Sequence, residues 1–331
     1  MRFGWFTAVL SGLFLACSAR GCRDSERTAT AAPSRSTVAA VTVSVNSGAS
    51  AAPRPRSLKA AMQELTWTFS DSALGRIDVV VVLPDRRPEQ RFPLLVALHG
   101  RGEAMKGSQR GARGWVDDYA LMRAMRRLSE PPLTAADFEG FVQSDRLALL
   151  NRSLRAEPYR GLVVLCPYTP DVLTGDRPFE RILPYAKFLV QQLLPRAYRE
   201  LPVEARSAAT GIDGISLGGR VAVLSGLDEP QAFGIVGGMQ AAFDSEDAPK
   251  LAAMAVAARH ARPSLVIKLL TSEGDYFLNA NRALSRALSQ EGVPHRFFLV
   301  PGPHDYPFNR GPGALEMLLF HDRTLRGEPA P

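Results

Sequence analysis

The chain has 331 residues, of which 46% are hydrophobic and 22% are charged. Its 27 glycines and 25 prolines are ordinary for a folded protein, so the composition excludes a collagen-like, coiled-coil or wholly disordered chain. Three cysteines, Cys17, Cys22 and Cys166, are too few for a disulfide framework or an all-cysteine zinc site. The length allows one large domain with a substantial core.

The net charge of +7 is unevenly distributed along the chain. Residues 1–57 carry seven arginines against Asp24 and Glu26, a balance of +5, which leaves +2 for all later residues. A nearly neutral body without a clustered basic stripe is a poor binder of nucleic acid. We therefore expect no nucleic-acid partner.

The N-terminal residues are typical of an export signal. Arg2 is followed by an uncharged apolar run over 3–16. This run is too short to span about 30 Å of hydrocarbon as a helix, and it fits the hydrophobic region of a secretory signal. The sequence therefore predicts an exported protein.

The apolar run ends at Cys17, directly after Ala16. A cysteine in this position resembles a bacterial lipoprotein processing site, at which the cysteine is acylated. We therefore favour lipidation of Cys17, with Cys22 and an ordinary cleaved signal as alternatives. The predicted location is the cell envelope, by a lipid anchor to the membrane, or the secreted fraction.

Three regions follow from these patterns. Residues 1–22 form the signal region, and residues 23–57 are a linker rich in Ala, Ser, Thr, Pro and Arg without aromatic residues. Such a segment buries too little apolar surface to fold, so we predict a disordered linker. Residues 58–331 form the single folded domain, in which predicted strands and helices alternate.

Short β-rich or continuously apolar runs predict strands, and longer runs with helical spacing predict helices. The predicted strands are 65–69, 77–83, 93–98, 162–165, 207–212, 233–236, 265–270 and 296–300. The predicted helices are 115–128, 179–198, 217–226, 249–261, 278–291 and 313–324. The first two strands are expected to pair antiparallel. The alternation afterwards predicts an α/β fold with a doubly wound, mostly parallel sheet and helices on both faces.

In such sheets ligands bind outside the carboxyl ends of the strands. The predicted strand 207–212 is followed by Gly214, Ser216 and Gly218 in the pattern G-x-S-x-G, directly before an apolar helix. The glycines allow a sharp, strained turn that exposes the serine hydroxyl. Ser216 is therefore the predicted nucleophile.

A serine nucleophile needs a base that is oriented by a third group. His304 follows the predicted strand 296–300 on a turn rich in Gly and Pro, and is the predicted base. The other histidines that follow Ser216 are expected to be surface or packing residues: His260, His295 and His321.

The acid is expected after the strand 265–270, in the chain order Ser, Asp, His. Asp275 lies there after a glycine and before the next helix, and we favour it over Glu273, which is expected to be a solvated turn residue.

The oxyanion of an acyl-transfer intermediate needs two preorganised N–H donors. One is expected from the backbone of Leu217, directly after the nucleophile. The second is assigned to the backbone of Arg101, in the run from His99 to Gly102 that follows a buried strand. The chain lacks both the P-loop pattern and G-x-G-x-x-G, so nucleotide binding is not predicted.

Over residues 65–324 the chain resembles the α/β-hydrolase superfamily. It is most similar to the putative esterase family of esterase D, enterochelin esterases, feruloyl esterase modules and mycolyl transferases. The likeness rests on HGRG at 99–102, GISLGG at 214–219, SEGD at 272–275 and GPHDY at 302–306. The resemblance implies an α/β-hydrolase fold and a serine hydrolase that uses no metal and no organic cofactor and acts through an acyl-enzyme.

The sequence therefore predicts an exported serine esterase with a small-molecule or polymer-linked ester as its substrate. Its catalytic residues would be Ser216, Asp275 and His304. The alternatives are an acyltransferase of the same fold and a non-catalytic binding protein tethered to the envelope. The long connection 129–160, with two amphipathic stretches, is predicted either to cover the site or to pack as a plain excursion.

Overall fold

The computed structural model describes residues 62–71, 73–87, 89–174 and 179–331. These residues belong to one compact unit. The predicted signal region, the linker, Cys17 and Cys22 lie outside the described residues.

The described residues contain an eight-stranded sheet with the strand order β1-β2-β4-β3-β5-β6-β7-β8. β1 pairs antiparallel with β2, β2 pairs antiparallel with β4, and all other neighbours are parallel. The strands are β1 Gln63–Asp71, β2 Gly75–Leu83, β3 Leu94–Leu98, β4 Val163–Pro167, β5 Thr210–Gly214, β6 Ile235–Met239, β7 Val266–Gly274 and β8 Arg296–Pro303.

The helices cover both faces of the sheet. The α-helices are Arg101–Ala104, Ser108–Gly111, Leu121–Ser129, Ser144–Ala156, Leu183–Phe188, Leu194–Glu200, Leu217–Asp228, Ala248–Ala261, Leu278–Gln290, Tyr306–Phe308 and Ala314–Leu325. Short 3₁₀ segments lie at Ala135–Phe138, Phe179–Ile182, Ser207–Ala209 and Ser245–Asp247, and π-helical turns at Gly114–Asp118, Leu189–Leu193 and Asn309–Gly313. No helix in these described ranges is both long and apolar enough to cross a bilayer.

Alternating side chains of the central strands pack into two separate hydrophobic cores. On β2, Val79 and Val81 pack into one core, whereas Val80 and Val82 pack into the other. The first core also contains the helix Leu217–Asp228, and the second contains Ala314–Leu325. A strand that is buried on both faces has a continuous apolar run, which is why these strands were recognisable. The predicted doubly wound, mostly parallel sheet is confirmed.

Two predicted elements were wrong in part. The helix predicted over 115–128 is interrupted at Ala120, which has a φ of 52° and separates a π-helical turn from Leu121–Ser129. The strand predicted over 207–212 begins only at Thr210, because Ser207–Ala209 is a 3₁₀ turn without β-branched residues.

Strand β7 is longer than its apolar run. Its pairing with β8 continues from Ser272 to Gly274 across an irregularity in register. The extension places Asp275 directly after the end of β7.

A charged cluster lies inside the sheet. Asp213 on β5, Lys268 on β7 and His321 on the last helix are all buried. Lys268 Nζ and His321 Nε2 each lie 3.0 Å from Asp213 Oδ2. Burial opposes ionisation of Asp213, but the Lys268 ammonium and the His321 hydrogen bond keep the pKa of Asp213 below its usual value. The cluster therefore joins the middle of the sheet to the last helix as an ion pair.

Removing one member of this cluster is expected to destabilise the fold. We predict that Lys268→Met lowers the free energy of unfolding by about 3–5 kcal/mol, because it leaves the Asp213 charge buried without its cation. Urea unfolding measures the loss. The double variant Lys268→Met with Asp213→Asn should lose less than Lys268→Met alone.

The control is Glu180→Gln, since Glu180 and its partner Lys250 have side chains that are 68% and 57% exposed. This variant should unfold like the wild type. A Lys268→Met variant as stable as the control would show that the buried pair contributes nothing.

Candidate active site

Ser216 lies at the turn between β5 and the helix Leu217–Asp228. Its backbone has a φ of 57° and a ψ of −116°. A residue with a Cβ rarely adopts this region, and the conformation costs on the order of 1–3 kcal/mol. The strained turn that the G-x-S-x-G pattern predicts is therefore present.

The two flanking glycines allow this turn to pack against β3. A Cβ on Gly214 would lie 2.4 Å from the carbonyl oxygen of Gly218, and a Cβ on Gly218 would lie 2.4 Å from that of Leu98. Both distances are far below van der Waals contact. Any larger residue would push the turn away from β3.

Backbone hydrogen bonds fix Ser216 from the other side. Its N–H donates to the carbonyl of Met239 at 2.9 Å, and its carbonyl accepts from the N–H of Ala242 at 3.0 Å. Met239 ends β6 and Ala242 follows it. The nucleophile candidate is therefore anchored to both neighbouring strands.

His304 and Asp275 are brought together by β7 and β8. His304 Nδ1 lies 2.7 Å from Asp275 Oδ1. The Asp275 carboxylate also accepts hydrogen bonds from the Thr271 hydroxyl at 2.6 Å and from the Phe277 N–H at 3.0 Å. These bonds orient the buried carboxylate so that it holds a proton on Nδ1 of His304 and leaves Nε2 as the acceptor.

The other candidates for acid and base lie elsewhere. Glu273 is exposed, and of the two carboxylates Asp275 is the one that contacts His304. His321 belongs to the buried cluster with Asp213, and His295 Nε2 lies 2.7 Å from the Ser285 hydroxyl.

Ser216 and His304 line one cavity of about 240 Å³. Arg101, Glu103 and Tyr306 also line it. Within the described part of the chain, no hydrogen bond joins the side chains of Ser216 and His304. Hydrogen bonds of this kind are often long in a free enzyme and shorten when substrate binds.

The two predicted oxyanion donors begin helices. Leu217 is the first residue of Leu217–Asp228, and Arg101 is the first residue of Arg101–Ala104. N–H groups in the first turn of a helix have no acceptor within the helix and are available to a ligand. The Arg101 side chain turns outward, where its Nε donates to Asp171 at 2.9 Å.

His99 is buried and is not a base candidate. Its Nδ1 lies 2.9 Å from the carbonyl oxygen of Gly100, and its Nε2 accepts from the Thr169 N–H at 2.9 Å. These contacts require the neutral ring with the proton on Nδ1. Burial lowers the pKa of His99 to about 4. His99 therefore joins the loop after β3 to the loop after β4.

Glu103, which no sequence motif indicates, lies buried in the cavity wall. It accepts hydrogen bonds from the hydroxyls of Tyr119 and Tyr306, and the Lys106 ammonium lies 3.5 Å away. The Tyr119 hydroxyl in turn accepts from the Gly100 N–H at 3.1 Å. Burial and the Glu103 hydrogen bond raise the pKa of Tyr306 to about 12. The Glu103 cluster therefore ties the loop before Arg101 to the wall of the cavity.

Glu103 had one faint signal, since it is the single acidic residue over 100–107. The pattern gave no sign of its burial. Its partners Tyr119 and Tyr306 are separated from it by 16 and 203 positions, so only the fold brings them together.

Gln240 is a second residue that the sequence analysis missed. It follows β6, is fully buried and has a φ of 43°. Its side-chain nitrogen donates to the Ser272 hydroxyl at 2.6 Å and to the carbonyl of Pro303 at 2.9 Å. Gln240 therefore connects the strand before Asp275 to the residue before His304.

The connection 129–160 does not cover the cavity, since none of its described residues lines it. Phe141 instead packs beside Gly302, and Arg146 forms an ion pair with Glu316 on the last helix, with Nε 2.8 Å from Oε1. The connection thus packs behind the His304 loop, and of the two predicted alternatives these contacts favour the packing excursion.

The described residues contain no group of three or more His, Cys, Asp or Glu side chains arranged to hold a metal ion. The charged groups at the cavity are instead paired with one another. Lys106 Nζ lies 2.7 Å from Asp118 Oδ2, in addition to its contact with Glu103.

The part of the chain that carries this site matches a known protein family. The family model described as Putative esterase matches residues 180–306, which include Ser216, Asp275 and His304. The predicted resemblance to the putative esterase family is confirmed. No curated protein sequence matches the chain significantly.

Solved structures share the fold at low identity. A ferulic acid esterase aligns with a TM-score of 0.59 and 17% identity over 80% of this chain and 99% of its own. An S-formylglutathione hydrolase from Staphylococcus aureus aligns with a TM-score of 0.55 and 14% identity over 80% of this chain and 100% of its own. A fluorophosphonate-binding serine hydrolase from the same organism gives 0.55 and 14% over 80% and 99%. These likenesses confirm the α/β-hydrolase fold.

Protonation of His99 is expected to destabilise the esterase-like fold in mild acid. The unfolded chain takes up a proton at this histidine near pH 6.5, whereas the folded protein does so only near pH 4. Stability from this site is therefore complete above pH 6.5 and falls by up to about 3 kcal/mol as the pH drops to 4. Urea unfolding over this pH range measures the loss.

His99→Gln should have a flatter stability profile over the same pH range, because its side chain does not titrate. His260→Gln, at an exposed position on the helix Ala248–Ala261, is the control and should keep the wild-type slope. Equal slopes for all three proteins would rule out His99 as the source.

Gln240 is expected to position His304. We predict that Gln240→Met lowers kcat on an ester by about 10- to 100-fold with little change in KM, because the loops that carry acid and base lose their common donor. Steady-state kinetics and the unfolding midpoint are measured together. Gln192→Met, which removes a bond to Asp71 far from the cavity, should leave kcat unchanged.

A loss of kcat for Gln240→Met that follows only a loss of folded protein would assign Gln240 a structural role.

Proposed function

We propose that the protein is a serine hydrolase that cleaves carboxylic esters through an acyl-enzyme on Ser216. The observation that carries the proposal is the His304–Asp275 hydrogen bond of 2.7 Å at the cavity that also exposes the strained Ser216. A nucleophile after β5, an orienting acid after β7 and a base after β8 are the parts that acyl transfer requires. The family match and the serine hydrolase fold support the same reaction class.

In the first step the Ser216 hydroxyl oxygen attacks the ester carbonyl carbon. His304 Nε2 takes the hydroxyl proton, and Asp275 stabilises the charged ring that results. The carbonyl oxygen becomes an oxyanion, which accepts hydrogen bonds from the N–H groups of Leu217 and Arg101. His304 then donates its proton to the leaving alcohol as the carbon–oxygen bond breaks.

The second step repeats this chemistry with water. His304 takes a proton from water, and the resulting hydroxide attacks the acyl-enzyme carbonyl. The bond to Ser216 breaks, the serine regains its proton from His304, and the acid leaves. The exposed surroundings of the cavity allow water to reach the acyl group.

Export completes the proposal and rests on the sequence alone. The charged start, the apolar run over 3–16 and Cys17 at its end support secretion with a lipid anchor on Cys17. The enzyme would then meet its esters at the cell envelope.

The proposal is tested by hydrolysis of p-nitrophenyl esters with short to long acyl chains. We expect turnover by the wild type, and a loss of kcat of about 10⁴-fold in both Ser216→Ala and Asp275→Asn. A fluorophosphonate should label the wild type and leave Ser216→Ala unlabelled.

Glu273→Gln is the matched control for Asp275→Asn and should keep wild-type activity, because the Glu273 side chain is exposed and does not contact His304. Absence of both turnover and fluorophosphonate labelling in the wild type would overturn the proposal and favour a binding protein. Faster product formation with an added alcohol, and an ester of that alcohol as the product, would favour an acyltransferase.

A further inference from the structure

Exposed apolar side chains lie on the loops that carry the residues lining the cavity. Seven large hydrophobic side chains are exposed in the described ranges, and three of them lie on the loops around the cavity: Met105, Tyr276 and Tyr306. Tyr276 is the most exposed of the seven, at 81%. A large aromatic side chain left in water beside a reactive centre is the kind of surface that binds a ligand.

Tyr276 is fixed relative to His304. Its ring centroid lies 5.1 Å from that of His304 with an angle of 32° between the planes. The turn that carries it is closed by Asp275, whose Oδ1 accepts from the Phe277 N–H. Phe277 packs against His304 from a second direction, with centroids 5.5 Å apart. Tyr276 therefore offers a solvent-exposed ring directly beside the ring of His304.

The proposed mechanism determines which half of the ester lies next to the Tyr276 ring. His304 must donate a proton to the leaving alcohol oxygen, so the alcohol half extends along the His304 side of the cavity. The exposed Tyr276 ring contacts the His304 ring there, whereas the less exposed Tyr306 is hydrogen-bonded to Glu103. The acyl half stays near the oxyanion donors, Leu217 and Arg101.

We infer that Tyr276 is a specificity-determining residue that binds a ring in the alcohol portion of the ester by stacking. This inference rests on the proposed esterase function. The chemistry that Tyr276 recognises is a ring with an apolar face, which an aryl group or the C–H face of a pyranose can supply. Stacking of this kind is expected to raise kcat/KM by about three- to tenfold.

The test compares matched esters on the full-length protein. Benzyl acetate and n-butyl acetate have alcohols of similar acidity, and only the first carries a ring. We expect Tyr276→Ala to lower the benzyl-to-butyl ratio of kcat/KM by about three- to tenfold and Tyr276→Phe to retain it. A methyl glucopyranoside acetylated at its primary hydroxyl replaces benzyl acetate in a second arm and distinguishes sugar from aryl recognition.

Two controls separate a subsite from general support of His304. Leu149→Ala removes another exposed apolar side chain, on the helix Ser144–Ala156, and should keep the wild-type ratio. Methyl phenylacetate carries a ring in the acyl half and methyl butyrate carries none, and the ratio of kcat/KM for these two esters should not change in Tyr276→Ala.

Equal losses on benzyl and butyl esters would overturn the inference, because Tyr276 would then act only through His304. A change confined to the acyl-ring pair would overturn it as well. An enzyme that cleaves these esters with both the benzyl-to-butyl and the glucoside-to-butyl ratio unchanged in Tyr276→Ala would reject this inference alone. A wild type that cleaves no ester would reject the proposed function and this inference with it.

Discussion

The candidate site depends on one strained residue, Ser216, and on the packing that maintains its backbone conformation. The turn is stable because Gly218 lies directly on the carbonyl of Leu98, and because the Ser216 backbone is bonded to Met239 and Ala242. These contacts to β3 and β6 offset a cost of on the order of 1–3 kcal/mol. The serine hydroxyl is thereby presented at the start of a helix. The base, the acid and the oxyanion donors can act together only if they are placed correctly around this hydroxyl.

Polar contacts then fix the positions of the remaining loops relative to that turn. Asp275 uses its carboxylate oxygens for Thr271, Phe277 and His304, so burial of the charge is compensated from three directions. The Gln240 side chain donates hydrogen bonds to the strand before Asp275 and to the residue before His304. On the opposite wall the Glu103 cluster fixes the loop that contains Arg101. The cavity is therefore bounded by loops that are tied to one another as well as to the sheet.

Much of this arrangement was predictable because each candidate residue follows a strand with a clear apolar run. Glycine spacing indicated the turn at Ser216, and chain order indicated that Asp275 and His304 would meet. The roles of Glu103 and Gln240 were not predictable, since their partners are distant in sequence and their own neighbours carry no periodic signal. The sequence left two alternatives open for the connection 129–160 for a related reason: an amphipathic pattern shows that a face is buried and does not show against which surface.

The helix Leu217–Asp228 is buried over nearly its whole length, from Leu217 through Leu227. A change at almost any of these positions must be accommodated by both the sheet and the neighbouring helices, so this helix tolerates little sequence drift. The positions of Met105 and Tyr276 have no such restriction, because these side chains project into solvent. Single substitutions at these exposed positions can therefore change the surface around the candidate site, while the buried helix that presents Ser216 keeps its packing.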